Sequence, residues 1–294
     1  MTGRFTTIRD PRSFQSAILI ALLAYGAAML DFEIRPAVAL AIAVSALGWQ
    51  FGFAKLWGLS RFDPRSAVIS ALSLCLLLRT TSLTTALLAA FLAIGSKFVL
   101  RHRGKHWFNP TAFGLAGVLL LRDDAWVSAG QWGTAPWLAL ALVGMGSLIV
   151  RRAERSDVTW AFLGSYLALL LTRSWWLGDP LAVPLHALQS GALLIFAFFM
   201  ISDPRTTPDS RVGRIAFGCL VAATALFARY WLYQTNGLIW SLVICSLLIP
   251  SIDRVFPGRR YRWRSASQTT AHGGNVDEAQ ADLGALLPGL RPTS

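Results

Sequence analysis

The sequence predicts an all-α integral membrane protein of about ten transmembrane helices, arranged as two inverted five-helix repeats with short or broken helices. Three observations carry this expectation. Apolar runs of about 15–20 residues recur along the whole chain. Of its 294 residues, 54% are hydrophobic and only 14% charged, against roughly 25% charged in a soluble domain. The cations gather in alternate connections between the runs, and proline follows Asp, Asn or Thr near the start of several of them.

Ten segments are readable, at about 14–30, 36–54, 64–78, 82–100, 108–121, 134–150, 158–172, 181–201, 215–231 and 237–252. The first follows a basic N-terminus. It lacks a small-x-small cleavage site before Asp31 and further runs follow, so it reads as a first membrane helix rather than a signal peptide. With the N-terminus in the cytoplasm, 22 of the 27 lysines and arginines fall on the cytoplasmic side. That asymmetry predicts both termini inside, in a cell inner membrane. Residues 1–13 are then a cytoplasmic N-terminus and 14–256 the membrane domain, with halves at about 14–121 and 134–256. Residues 257–294 form a basic juxtamembrane segment and a polar, small-residue-rich tail expected to be disordered.

A net charge of +12 would suggest nucleic acid in a soluble protein. Here it is the topology signal, so the expected partners are the lipid bilayer and other membrane subunits, with no nucleic acid. Cys75, Cys219 and Cys245 lie far apart inside apolar runs, which predicts small buried residues and neither a disulfide nor a metal site. His102 and His106 are spaced for one helical face, but the surrounding cations oppose a divalent ion.

The halves echo each other at an offset of about 117 residues, where "WGLSRFDPRSAVISALSLCLLL" (57–78) parallels "WLGDPLAVPLHALQSGALLIF" (176–196). An odd number of crossings per half makes the copies inverted. Asp63-Pro64, Asn109-Pro110, Asp179-Pro180 and Thr207-Pro208 each read as an N-cap followed by a first-turn proline. Asp203-Pro204 reads as a helix stop. The run from Pro110 to Leu121 has twelve residues, about 18 Å of helix against a hydrocarbon core of about 30 Å. Pro184, Gly191 and Pro250 interrupt two more runs. Short or broken helices in matching halves point to a midplane site, with helix N-termini suited to an anion or phosphate. Plain packing around small residues reads the same feature without a site. His186, Gln189 and Ser190 stand out as polar groups in an apolar run and are expected to face the bundle interior. No Asp or Glu lies deep in a run. The loop 202–214 is expected to bring Arg205, Arg211 and Arg214 beside Arg101, Arg103 and Lys105, with Arg65 nearby, as one basic surface that either docks an acidic partner or phosphate-bearing cofactor or is a topology signal touching lipid headgroups.

At three motifs the chain resembles a known family. "GKHWFNPTAFG" (104–114), "LQSGALLIFAFFMISDPRTTPDSRVGRIAFG" (188–218) and "NGLIWSLVICSLLIPSIDR" (236–254) are similar to the membrane-embedded D subunit of Rnf electron-transport complexes. The B subunit of sodium-translocating NADH:quinone reductases belongs to the same family. The likeness spans about 60–262 and is nearest to stand-alone relatives, among them the UnbU-type membrane proteins of enediyne clusters. It implies a ten-helix inverted repeat and a flavin-bearing membrane subunit of an electron-transport chain linked to ion translocation, working with other redox subunits. Carried over by position are Gly104, Lys105, Asn109 and Pro110, then Ser190, Gly191 and Ala192, then Asp203, Pro204, Thr207, Gly213 and Arg214. None is implied to be catalytic. They shape helix breaks and the cytoplasmic face, and the candidate cofactor-binding set is Gly104, Lys105, Asn109, Pro110, Gln189, Ser190, Gly191, Asp203, Thr207 and Arg214, with no metal ligand. In the family, FMN is esterified to a threonine in an S-G-A-T-like motif after the helix equivalent to 108–121. Here that loop is "RDDAWVSAGQWG" (122–133), Ser190-Gly191-Ala192 continues with Leu193, and Thr134 stands in the wrong order. The implied flavin, FMN or riboflavin, is therefore expected to be non-covalent. The alternative is a channel or carrier for a small solute or biosynthetic product on the same scaffold.

Overall fold

A computed structural model describes residues 11–30, 32, 34–59, 62–127 and 136–261. The expectations for residues 1–10, Thr134 and the tail from 262 lie outside these. The molecule is mostly helical, and every one of the ten apolar segments falls on helix.

The first half holds α1 (Pro11–Met29), α2 (Pro36–Leu56), α3 (Arg65–Leu77), α4 (Leu83–Val99) and α5 (Pro110–Leu121). Ser82 caps α4 by accepting from the Thr85 N–H, and Asn109 caps α5 by accepting from the Ala112 N–H. Along α4, Ala86, Ala89, Ala90 and Ala93 are all fully buried. Such a small-residue face lets α2 and α5 approach closely. Gly114 on α5 uses that approach: a Cβ there would meet the Ala89 carbonyl oxygen at 2.7 Å. Two short antiparallel pairs close the ends of the bundle. β1 (Leu78–Thr80) pairs with β4 (Ala125–Val127), while β2 (Arg101–His102) pairs with β3 (Lys105–His106). The β2–β3 turn is Arg103-Gly104, with φ 50° and 80°. Positive φ at both central residues is what a two-residue hairpin needs, and it accounts for the glycine.

The second half holds α6 (Pro136–Arg152), α7 (Ser156–Leu177), α8 (Ala182–Leu188), α9 (Gly191–Ile195), α10 (Arg211–Tyr230), α11 (Gly237–Ser246) and α12 (Ile249–Val255). α9 runs on into a π-helical stretch, Phe196–Met200, that is buried throughout. Wider helical turns leave carbonyls without regular partners, and here side chains supply them. The Thr159 hydroxyl donates to the Ala197 carbonyl (2.9 Å), the Ser202 hydroxyl to Phe198 (2.6 Å) and Asn109 Nδ2 to Met200 (3.1 Å).

α2 packs on α4 and α4 on α5, as α7 packs on α10 and α10 on α11. Among the described residues three helices are long and apolar enough to span a membrane: Arg12–Met29, Pro36–Leu56 and Arg211–Tyr230. The bent pairs α8 with α9 (49°) and α11 with α12 (52°) raise that to five if each pair is one span. α2 turns Leu40, Val44, Leu47 and Phe51 outward, as a lipid-facing stripe would.

Several local expectations change. The breaks fall at Gln189-Ser190 and Leu247-Leu248, not at the prolines; Pro184 and Pro250 sit in first turns, where a missing N–H leaves nothing unsatisfied. Of the four predicted caps only Asn109 acts as one. Asp63 instead accepts from the Arg65 N–H and pairs with Arg12, Asp179 pairs with Arg173, and Ser210 caps α10 in place of Thr207. His102 and His106 lie on hairpin strands, so they share no helical face. Cys219 is exposed, whereas Cys75 and Cys245 are buried. His186 is exposed rather than turned inward.

Candidate functional site

A cavity of about 230 Å³ opens at the hairpin end of the bundle. One face of α3 supplies Ser66, Ser70 and Ser73, whose spacing of four and three residues puts them on a common stripe. α2 supplies Gln50, the last turn of α4 supplies Lys97, and the first turn of α5 supplies Asn109, Pro110 and Thr111. The segment after the π-helical stretch adds Ser202, Asp203 and Arg205; Arg12, Asp63, Arg101 and His106 complete the charged lining. The site is therefore assembled from both halves of the chain.

Its electrostatics follow from these partners. Arg205 donates to His106 Nε2 at 3.2 Å. A guanidinium can only donate, so Nε2 is the acceptor and the imidazole proton sits on Nδ1. Burial, then the positive charges of Arg205, Arg101 and Lys97, push His106 down to about 3, and it is neutral at physiological pH. Burial pushes the Asp203 carboxyl upward, against the Arg205 N–H that it accepts and the nearby cations. Arg101 stacks over Phe98 and donates to the Lys97 carbonyl. Four cations face two carboxylates, so the lining is net positive.

Beside the cavity lies a second polar layer. Arg155, 3% exposed, donates from Nε to the Thr207 hydroxyl (2.9 Å), from one terminal nitrogen to the Glu154 carbonyl and from the other to Pro204 (3.4 Å). Arg214 clasps Asp157 through Nε and one terminal nitrogen at 2.6–2.9 Å, and its other terminal nitrogen donates to the Asp209 carbonyl. Lys105 Nζ bridges Asp209 (3.0 Å) and Asp253 (2.7 Å). The predicted basic docking surface is cut down to Arg101, Arg103 and Arg211, which stay exposed. Lys105 and Arg214 are paired with half-buried carboxylates, and Arg205 is turned onto His106.

Of the sequence-derived candidates, Asn109, Pro110 and Asp203 line the cavity, while Lys105, Thr207 and Arg214 belong to the adjoining polar layer. Gly104 forms the hairpin turn. Gln189, Ser190 and Gly191 lie at the α8–α9 break, apart from the cavity. Lys97, Gln50 and the α3 serines were missed. A lone lysine near the end of an otherwise apolar run, in "AIGSKF", was the available signal. No group of three or more metal-ligating side chains occurs among the described residues.

Asn109 joins the halves, so its loss tests the assembly. Replacing Asn109 by alanine is expected to remove both the α5 cap and the bond to Met200, lowering stability by about 2–3 kcal/mol. Asn109→Ser should recover the cap alone, about 1 kcal/mol of that loss, in detergent unfolding titrations.

Comparison with known proteins reaches the second half of the chain, which supplies part of the cavity lining. Residues 124–262 match the NQR2, RnfD, RnfE family. The match takes in α6 to α12 and the Asp203–Arg214 segment, a narrower reach than the motifs from residue 60 suggested. The D subunit of the ion-translocating oxidoreductase complex of Tolumonas auensis is 30% identical over 126 residues, 42% of this chain and 36% of that protein. The protein of the same name from Escherichia coli O1:K1 / APEC is 33% identical over 135 residues, 46% of this chain and 37% of the relative. That of Vibrio atlanticus is 29% identical over 138 residues, 47% of this chain and 39% of the relative. The chain thus spans less than half the length of these curated relatives. Lys97, Gln50 and the α3 serines precede the region that the NQR2, RnfD, RnfE model matches.

Proposed function

We propose that the chain is a membrane component of an electron-transport complex linked to ion translocation, similar to the D subunit of ion-translocating oxidoreductases. The observation that carries this reading is the family match over 124–262, which includes the Asp203–Arg214 segment that builds one wall of the cavity. In this proposal the ten helical segments are ten crossings in two inverted repeats, with both termini in the cytoplasm of an inner membrane. The paired packing supports it. Gly114 rests on the Ala89 oxygen and Ala93 nitrogen of α4, and Gly237 rests on the Ala225 oxygen and Arg229 nitrogen of α10. These are the same two atoms four residues apart, at the matching contact of each half.

The size of the cavity favours a group smaller than a whole flavin. Pockets for drug-sized ligands hold about 300–1,000 Å³, and about 230 Å³ here is room for a smaller group. The 122–127 stretch carries no hydroxyl for a phosphoester. In this reading any FMN or riboflavin is non-covalent and lies at a contact with a partner protein. Native purification with co-purifying subunits, followed by visible spectra before and after dithionite, tests the role. A bleachable flavin or other chromophore in the assembly is expected. A colourless protein that purifies alone, with no redox partner attached, overturns it.

A further inference from the structure

Lys97 is 3% exposed, and its Nζ has no hydrogen-bond partner among the described residues. Gln50 Oε1 on the same cavity wall is likewise buried and unpartnered. An isolated buried ammonium is strongly unfavourable, and the usual remedy is an acceptor that shares its charge. Lys97 faces the cavity rather than the packed alanine face of α4. Asp203 influences it from a distance but makes no ion pair with it. Around it the lining is net positive and rich in hydroxyls, and the twelve-residue α5 begins there with its N–H groups and positive dipole end. A cation would meet repulsion from Lys97, Arg101 and Arg205 together.

We propose that this cavity binds a phosphate-type oxyanion, with Lys97 as its buried counter-ion, the Ser73 hydroxyl at its side and Arg101 and Arg205 at the mouth. The ligand is small: a free phosphate, a simple phosphate ester or the headgroup of an anionic phospholipid. The site stands whether or not the chain carries electrons, since every residue in it is read from the cavity.

The test uses the full chain in neutral detergent, stripped of lipid. Unfolding temperature is followed while inorganic phosphate replaces chloride at constant ionic strength. Wild type is expected to gain about 3 °C at saturation. Phosphate also stabilises proteins generally by exclusion from their surface, so the variants decide. Lys97→Met keeps the stem and removes the charge, and should lose the gain. Ser73→Leu, which fills the cavity, should lose it too and serves if Lys97→Met fails to fold. Arg103→Gln, on the exposed hairpin turn, should keep it. If short-chain phosphatidic acid raises the unfolding temperature while phosphate and glycerol phosphate do not, the ligand is a lipid headgroup. An equal gain in Lys97→Met and Ser73→Leu, or no gain in wild type with any of these probes, overturns the site.

Discussion

Arg155→Met should destabilise the protein by about 2–4 kcal/mol, the largest single-residue effect expected at the hairpin end. Arg155 serves three acceptors at once: the Thr207 hydroxyl at 0% exposure, the Pro204 carbonyl and the carbonyl of the exposed Glu154. Tyr261 covers the guanidinium at 4.9 Å. Methionine restores the volume but no donor, so three oxygens lose a charged partner together. Arg155→Lys should recover little, because an ammonium cannot fan out to three directions as a guanidinium does. The measurement is unfolding in detergent for Arg155→Met, Thr207→Val and the double variant. A coupling of about 1 kcal/mol or more between the two is expected. Strict additivity would mean that the Arg155–Thr207 bond contributes nothing.

The second large effect is steric. Gly114→Ala should cost about 2–3 kcal/mol, and Gly114→Val more, because the new Cβ lands on a backbone oxygen and on Ala93. Neither can move without separating α4 from α5. For a chain of this size the alanine variant should unfold about 3–5 °C lower. Gly144 in α6 and Gly164 in α7 are the internal comparison, since a Cβ at either meets nothing within 4 Å. Alanine there should be neutral or stabilise by up to about 1 kcal/mol through helix propensity alone. Equal behaviour of Gly114→Ala and Gly144→Ala would remove the close helix contact from the account.

Both predictions rest on features with different visibility in the sequence. Apolar runs located every helix, because burial and lipid exposure both demand apolar side chains over a helix length. The cap at Asn109 was legible because Asn-Pro satisfies local chemistry within four residues. Asp63, Asp179 and Thr207 presented the same local pattern, yet Arg12 and Arg155, about fifty residues away, engage Asp63 and Thr207, and Arg173, one helix end back, engages Asp179. Competition between a cap and a long-range donor is invisible to spacing. The basic surface is smaller than expected for a related reason. Counting Arg214 and Lys105 as free charges ignored Asp157 and Asp253, which lie 57 and 148 residues away in the chain. In the sequence Lys97 counts as one more topology charge, since only packing reveals that its ammonium points inward.

The bridge from Lys105 to Asp253 also bears on biosynthesis. Translation at about 5–20 residues per second separates the two side chains by about 7–30 s, given their 148-residue spacing. Throughout that interval the hairpin has no Asp253 to answer its lysine, and the Asp209 N–H lacks the carboxylate it later meets at 2.8 Å. The hairpin, the 203–210 segment and α12 therefore lock together only after α12 has left the ribosome. A nascent chain halted short of that point holds this end of the bundle without the Asp253 half of the latch, and Asp209, once made, is the carboxylate left to hold Lys105.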